Sequence, residues 1–385
     1  MKIRRLLSVF LLAALLCGLF TVPAAALEDP DIRAKAALLV EAETGTILYD
    51  KNAHDELSIA STTKIMSALL IFEAIDRGEL RLDQQVTATA TALRGLPEDG
   101  STADIVEGET LTVEQLLYCM LVISANETCN ILGETVAGSV DAFVERMNQR
   151  AKELGMNDTT FKNATGLPAE GHVTSAHDIA LMSRELILHY PDIRQYTTIW
   201  MDTLRDGQSQ LVNTNKLIRF YEGATGLKTG STDSALYCLS ATAERDGMEL
   251  ISVIMKGASS AQRFEDAKAL LSYGFSTYAL KTIVPEEALP PVPVELGTQA
   301  TVQPVLGEGN VLLLEKARAG GLTQTVELVD SVAAPVEAGD RLGTLTVTAG
   351  EETAAEIPIL AGETVPRVTF SQMLRRLLRT AFLAG

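Results

Sequence analysis

Apolar positions along the chain change their period several times, and each change marks a different element. Leu6 to Leu19 is an almost unbroken apolar run behind Lys2, Arg4 and Arg5, and Ala24-Ala25-Ala26 follows it. A basic start, a short apolar centre and small residues form the pattern of a secretory leader cut after Ala26. An uncleaved anchor is the alternative, and the shortness of the run counts against it. From Ala36 to Tyr49 two strand-like runs flank Glu43-Thr44-Gly45, a hairpin-like turn. Ile65 to Ile75 is apolar nearly all round, which predicts a helix buried on every side. Thr112 and Gln115, with Leu111 ahead of them, form a capping-box pattern opening a helix through Leu116 to Ile123. A further helix is predicted from Glu127 to about Val136. Ala235–Ala243 and Leu250–Met255 read as strands on either side of an Asp246-Gly247 turn. Helices lying between an early and a late strand pair predict an α+β domain whose sheet joins both ends of the segment.

The pattern shifts near residue 284. Pro285, Pro290, Pro291 and Pro293 mark a stiff linker or a first edge strand. Short β-rich runs follow: Thr301–Leu306, Val311–Ala317, Gln324–Val329 and Leu342–Thr348. Turns such as Gly307-Glu308-Gly309-Asn310 and Ala319-Gly320-Gly321 separate them, predicting a small all-β sandwich. No chemically loaded side chain stands out in it, so it reads as a spacer or docking module. Finally, Phe370, Met373, Leu374, Leu377, Leu378 and Ala381 fall on one helical stripe, with Arg375, Arg376 and Arg379 opposite. Such a basic amphipathic helix predicts an interfacial membrane anchor, the alternative being a terminal helix docked on its own protein. The expected organisation is a leader over 1–26, a catalytic domain over 27–283, a β-sandwich over 284–362 and an anchor helix over 363–385.

Charge narrows the partners. The 385 residues hold 32 Lys and Arg against 50 Asp and Glu, a net charge of −18. The leader is itself basic, so the rest of the chain is more acidic still, which argues against a nucleic-acid partner. Outside the leader the cysteines are Cys119, Cys129 and Cys238, an odd and sparse set that reads as small buried hydrophobes rather than a disulfide framework. His54, His172, His177 and His189 are scattered without metal-ligand spacing, so neither a metal nor another cofactor is expected.

Three short motifs carry the chemistry. Ser61-Thr62-Thr63-Lys64 stands at the start of the predicted buried helix, where a spacing of three puts both side chains on one face. An unprotonated amine there can take the proton of a serine hydroxyl, and the helix start offers free N–H groups to an oxyanion. The pattern alone also fits Ser61 as a plain N-cap. Ser124-Ala125-Asn126 falls between two predicted helices, where a hydroxyl and an amide can both face a cleft. Lys228-Thr229-Gly230, ahead of Ser231, suits an edge strand, with glycine leaving room for a substrate backbone. The three motifs in this order are those of penicillin-binding proteins and class A β-lactamases.

The chain resembles the low-molecular-mass penicillin-binding proteins, the S11-like serine peptidases that act as D-alanyl-D-alanine carboxypeptidases. Beyond the motifs, the resemblance rests on ALLVEAETGTILYDKNA before the nucleophile, NATGLP at Asn163–Pro168, TGLKTGST at Thr225–Thr232 and RFEDAKALLSYGF at Arg263–Phe275. It departs at Ala125, where many relatives have glycine, and at Ser231, where some have histidine. The resemblance implies a DD-peptidase-like catalytic fold and Ser61 as acylated nucleophile, with Lys64 as its base. It further implies backbone N–H groups of Ser61 and Ser231 as oxyanion donors and Ser124 as proton relay, helped by Lys228. Asn126 is implied to bind the peptide backbone, and Lys228 and Thr229, beside Gly230, the terminal carboxylate. The implied partners are stem peptides ending in D-Ala-D-Ala, β-lactams as covalent inhibitors and the outer face of the cytoplasmic membrane. A DD-endopeptidase, a β-lactamase and a non-catalytic β-lactam sensor remain alternatives. Against the lactamase, the loop after the second motif reads as in the carboxypeptidases, although Glu170 lies close by.

Overall fold

A computed structural model describes residues 30–383. The expected leader lies outside the described residues. The expected hairpin forms as β1 (Ala36–Glu41) and β2 (Ile47–Lys51), and Gly45 takes the left-handed backbone of the turn at φ +71°. Three long strands arise late in the chain: β3 (Ala224–Thr232), β4 (Leu236–Arg245) and β5 (Met248–Gly257). Asp246 and Gly247 join the last two with φ of 52° and 76°, the pair of positive values that a two-residue turn matched to strand twist requires. The five pair antiparallel in the order β2-β1-β5-β4-β3, so the sheet does join the two ends of the domain.

Both faces of this sheet are covered, which explains why β1 is apolar without alternation. Leu38 and Val40 face one core with Ile251, Val253 and Met255, while Ala37 and Leu39 face another with Leu250 and Ile254. Each such leucine or valine contributes about 1.5–3 kcal/mol of burial free energy. The larger core holds three helices that matter for the site: α1 (Lys64–Asp76), α2 (Val113–Val122) and α3 (Asn126–Ala137). Every residue of α1 from Lys64 to Ala74 is buried. The Thr112/Gln115 capping box is made in both directions, at 3.1 and 2.9 Å. Helix α4 (Ser260–Thr277) covers the opposite face with Phe264, Leu270, Leu271 and Phe275. The three cysteines are fully buried thiols.

A strand-rich domain follows. Its first strand, Tyr278–Thr282, precedes the proline-rich stretch and pairs with Val311–Glu315. A four-stranded sheet runs in the order Pro304–Leu306, Glu352–Ala361, Arg341–Ala349, Leu322–Leu328, and Leu345, Val347, Ile357 and Ile359 form its core. Glu352–Ala361 is not foreseen from sequence, because its first half is exposed and polar and Pro358 interrupts it. That proline's carbonyl still accepts from the Gly307 N–H at 2.8 Å, so the chain keeps an inter-strand bond there. The terminal helix α5 (Phe370–Leu383) forms as expected, with Phe370, Leu374 and Leu378 exposed.

Candidate active site

Ser61 sits one step earlier than the sequence suggests, in a 3₁₀ turn (Ala60–Thr63) leading into α1. The hydroxyls of Thr62 and Thr63 are spent on the carbonyls of Ile59 and Ala60, and Ser61 makes no capping bond. Ala60 holds φ at +53°, a conformation that costs a non-glycine residue about 1 kcal/mol or more. Two glycine-bearing segments wedge the turn in place. A Cβ on Gly166 would lie 1.9 Å from the Ala60 carbonyl oxygen, and one on Gly230 would lie 2.9 Å from the Ser61 nitrogen. Only glycine fits at either position.

The ammonium position of Lys64 is fully enclosed. Its Nζ lies 3.0 Å from Ser61 Oγ, 2.8 Å from Asn126 Oδ1 and 2.7 Å from the Thr165 carbonyl. The last two are acceptors only, so they take two N–H bonds from the amine. A neutral amine then has its lone pair left for the Ser61 hydroxyl, which donates to it. Burial pushes the Lys64 pKa down, toward that neutral form. The NATGLP stretch accounts for the third contact. Asn163 Oδ1 accepts from the Thr165 N–H, the Thr165 hydroxyl and the Gly166 N–H at 3.2, 3.0 and 2.7 Å, a side-chain turn that presents the Thr165 carbonyl to Lys64.

Lys228 is equally buried on β3, the free edge of the sheet. Burial depresses its pKa well below the usual lysine range, and the nearby Lys64 charge adds to the effect. Each charged amine disfavours the charge on the other, so the two titrate as a coupled pair. Lys228 Nζ donates to the Thr229 carbonyl at 2.9 Å, and the Thr229 hydroxyl meets that of Thr214 at 2.7 Å. Ser124 lies between α2 and α3 with φ +69°, and its buried Oγ has no hydrogen-bond partner among the described residues. The structure thus brings Lys64 to Ser61 and Asn126 directly, but neither lysine hydrogen-bonds Ser124. Ser231 follows Gly230 on β3 with its side chain exposed.

Several supports have no motif of their own. Arg263 on α4 donates to the carbonyls of Gly230 and Cys238 at 3.0 and 3.3 Å, fixing β3 from beneath, and burial lowers its pKa to about 10. His172 accepts the Lys162 N–H at Nδ1 and faces the Thr63 hydroxyl through Nε2, with burial lowering its pKa to about 4. Glu127 accepts from the Thr102 hydroxyl and the Ala103 N–H, tying a loop to the start of α3. Arg263 lies in the stretch RFEDAKALLSYGF, whose resemblance was the only signal for it.

A family model described as D-alanyl-D-alanine carboxypeptidase matches residues 23–259, and one described as Penicillin-binding protein 5, C-terminal domain, matches residues 278–367. The chain is 36% identical to D-alanyl-D-alanine carboxypeptidase DacF of Bacillus subtilis (strain 168), over 89% of this chain and 88% of that protein. Among solved structures it is similar to penicillin binding protein 5 from Haemophilus influenzae, with a TM-score of 0.77 and 26% identity, over 88% of this chain and 99% of the other. It is also similar to Penicillin-Binding Protein D2 from Listeria monocytogenes in its ampicillin-bound form, with a TM-score of 0.58 and 35% identity, over 64% and 98%.

Proposed function

From membership of the D-alanyl-D-alanine carboxypeptidase family, to which this chain belongs, we propose that it cleaves stem pentapeptides through an acyl-enzyme on Ser61. The observation that carries this reading is the Lys64 amine, 3.0 Å from Ser61 Oγ with its two N–H bonds already committed. Ser61 Oγ attacks the carbonyl carbon of the penultimate D-alanine while its proton passes to Lys64. The oxyanion is held by backbone N–H groups of Ser61 and Ser231. As the C–N bond breaks, the departing D-alanine nitrogen takes a proton through the unpartnered hydroxyl of Ser124. Water then attacks the ester, giving the shortened peptide acid and returning the proton to Ser61. Asn126 binds the peptide backbone of the substrate. Gly230 lets β3 lie directly against the turn that carries Ser61. β-Lactams acylate the same serine.

Lys228 and Thr229 read the terminal carboxylate. An anion there favours the charged form of Lys228, and that charge keeps Lys64 neutral, so substrate binding sets both amines in their working states. Lys228→Gln is therefore expected to lower kcat/KM about 10- to 100-fold on free-acid peptides, the value of a hydrogen bond to a charged group. C-terminally amidated peptides should lose much less. Equal losses on both would assign Lys228 to proton transfer or structure.

We propose that the enzyme works at the outer face of the cytoplasmic membrane, a reading that rests on the two ends of the chain. Residues 1–26 are read as a leader that exports the protein, and 363–385 as its anchor. No helix among the described residues is long and apolar enough to cross a membrane. Helix α5 has 14 residues, about 21 Å at 1.5 Å per residue, against a hydrocarbon core of about 30 Å. Its exposed Phe370, Leu374 and Leu378 repeat every four residues, the spacing of one helix face, in a segment with four Arg and one Glu. A chain ending at Gly362 is expected to stay in the supernatant with anionic vesicles that sediment the longer protein, while still hydrolysing small peptides. Undiminished sedimentation of the shorter chain would remove the anchor role.

A further inference from the structure

A cavity of about 370 Å³ opens beside the nucleophile turn, on the side away from Lys228. Ile59 and Ala60 form one wall, Leu167 and Pro168 another, and Thr232 a third, with Glu170 among the lining residues. None of the motifs absorbs it. Its position relative to the substrate follows from the strand direction. With the terminal carboxylate at Lys228 and Thr229, and the reacting carbonyl at Ser61 beside Gly230, the acyl portion of the peptide leaves along β3 toward Thr232. A peptide laid on this edge advances about 3.3 Å per residue. The residue just before the penultimate D-alanine, the third of the stem, therefore arrives at the cavity.

The carboxylate on the cavity wall is Glu170, and the Lys162 cation stands close enough to act on His172. The cavity's titratable lining residues are Glu170 and His172. His172 is buried with both ring nitrogens engaged, so it stays neutral at ordinary pH and does not offset the carboxylate. Glu170 is exposed, with no ion pair among the described residues. Lys162 reaches the neighbouring Gly171 but does not line the cavity. An apolar wall ending in a free carboxylate matches an aliphatic side chain ending in a primary ammonium.

We infer that this cavity is the subsite for the third stem residue, and that Glu170 makes the enzyme prefer an amine-bearing side chain there. The inference rests on the substrate direction proposed above. The chemistry is shared by lysine-type and diaminopimelate-type stems; the second also carries a carboxylate on the amine-bearing carbon, which faces Glu170 as a like charge.

The test uses the full chain and pentapeptides that differ only at the third residue: L-lysine, norleucine and diaminopimelate. The lysine peptide is expected to exceed norleucine in kcat/KM by up to about fivefold, the upper range of a solvent-accessible ion pair, and the ratio should shrink with added salt. Diaminopimelate should fall between them. Glu170→Gln should bring the lysine-to-norleucine ratio to about one, and Glu170→Lys should invert it, which a merely structural role would not do. A ratio of one in the parent enzyme, or a ratio that neither substitution moves, overturns the inference. The free-acid and amidated peptides tested with Lys228→Gln check the substrate direction separately, so a wrong direction and a wrong subsite give different results.

Discussion

Ser61→Ala removes D-alanine release and covalent penicillin capture together, and leaves a folded protein. The hydroxyl is the one at the nucleophile turn that meets the Lys64 amine, since Thr62 and Thr63 donate to carbonyls behind it. Without it, attack falls to water, and the chemical step should become undetectable against the parent. The structural cost is small. Lys64 keeps its bonds to Asn126 and Thr165, so one hydrogen bond of about 1 kcal/mol is lost, worth a few degrees in Tm. Intact-mass measurement after incubation with penicillin reads the result directly. An adduct retained on the alanine variant would put the nucleophile elsewhere.

Lys64→Met gives the second large effect, and a different one. The nucleophile remains, so the penicillin adduct still forms, but slowly. Loss of a positioned general base costs about 10²–10⁴-fold in the acylation rate. The pH profile separates this from a structural loss. In the parent, kcat/KM should rise with pH as the Lys64–Lys228 pair gives up its first proton, then fall as it gives up its second. Both limbs lie below the ordinary lysine range, because burial lowers both pKa values. Lys64→Met should lose the rising limb altogether. If the variant is slower at every pH but keeps that limb, another group is the base.

Much of this site could be read from the residues alone. The hairpin at Gly45, the Thr112/Gln115 cap and the Asp246-Gly247 turn each follow from local chemistry, and each forms where expected. Helix α1 announces itself by being apolar all round. Ser61, Lys64 and Asn126 meet because two helix starts face each other. What the sequence could not supply was contact made by backbone. The Thr165 carbonyl is a ligand of Lys64 whatever side chain residue 165 carries, so no residue type betrays it. Arg263 looks like a surface charge on a helix until the strand it supports is in place. The same holds for Lys228, whose burial depends on the fold around β3. Pro358 hid a long strand for the opposite reason, since a local rule against proline was outweighed by partners distant in the chain.

The sheet order has a consequence in time. β1 is among the first segments made, yet it lies between β2 and β5, and β5 is the last strand of its sheet to be synthesised. Until Met248–Gly257 is available, β1 has a partner on one edge only. Until β3 and β4 have docked, Gly230 is not pressed against the nucleophile turn. A fold built from such distant pairings forms late and all at once, because loop closure must precede the contacts that compensate it. An incomplete chain thus holds a serine with no assembled site around it. The β-lactam capture proposed above is then a clock for this protein, marking the moment when the two ends of the domain have found each other.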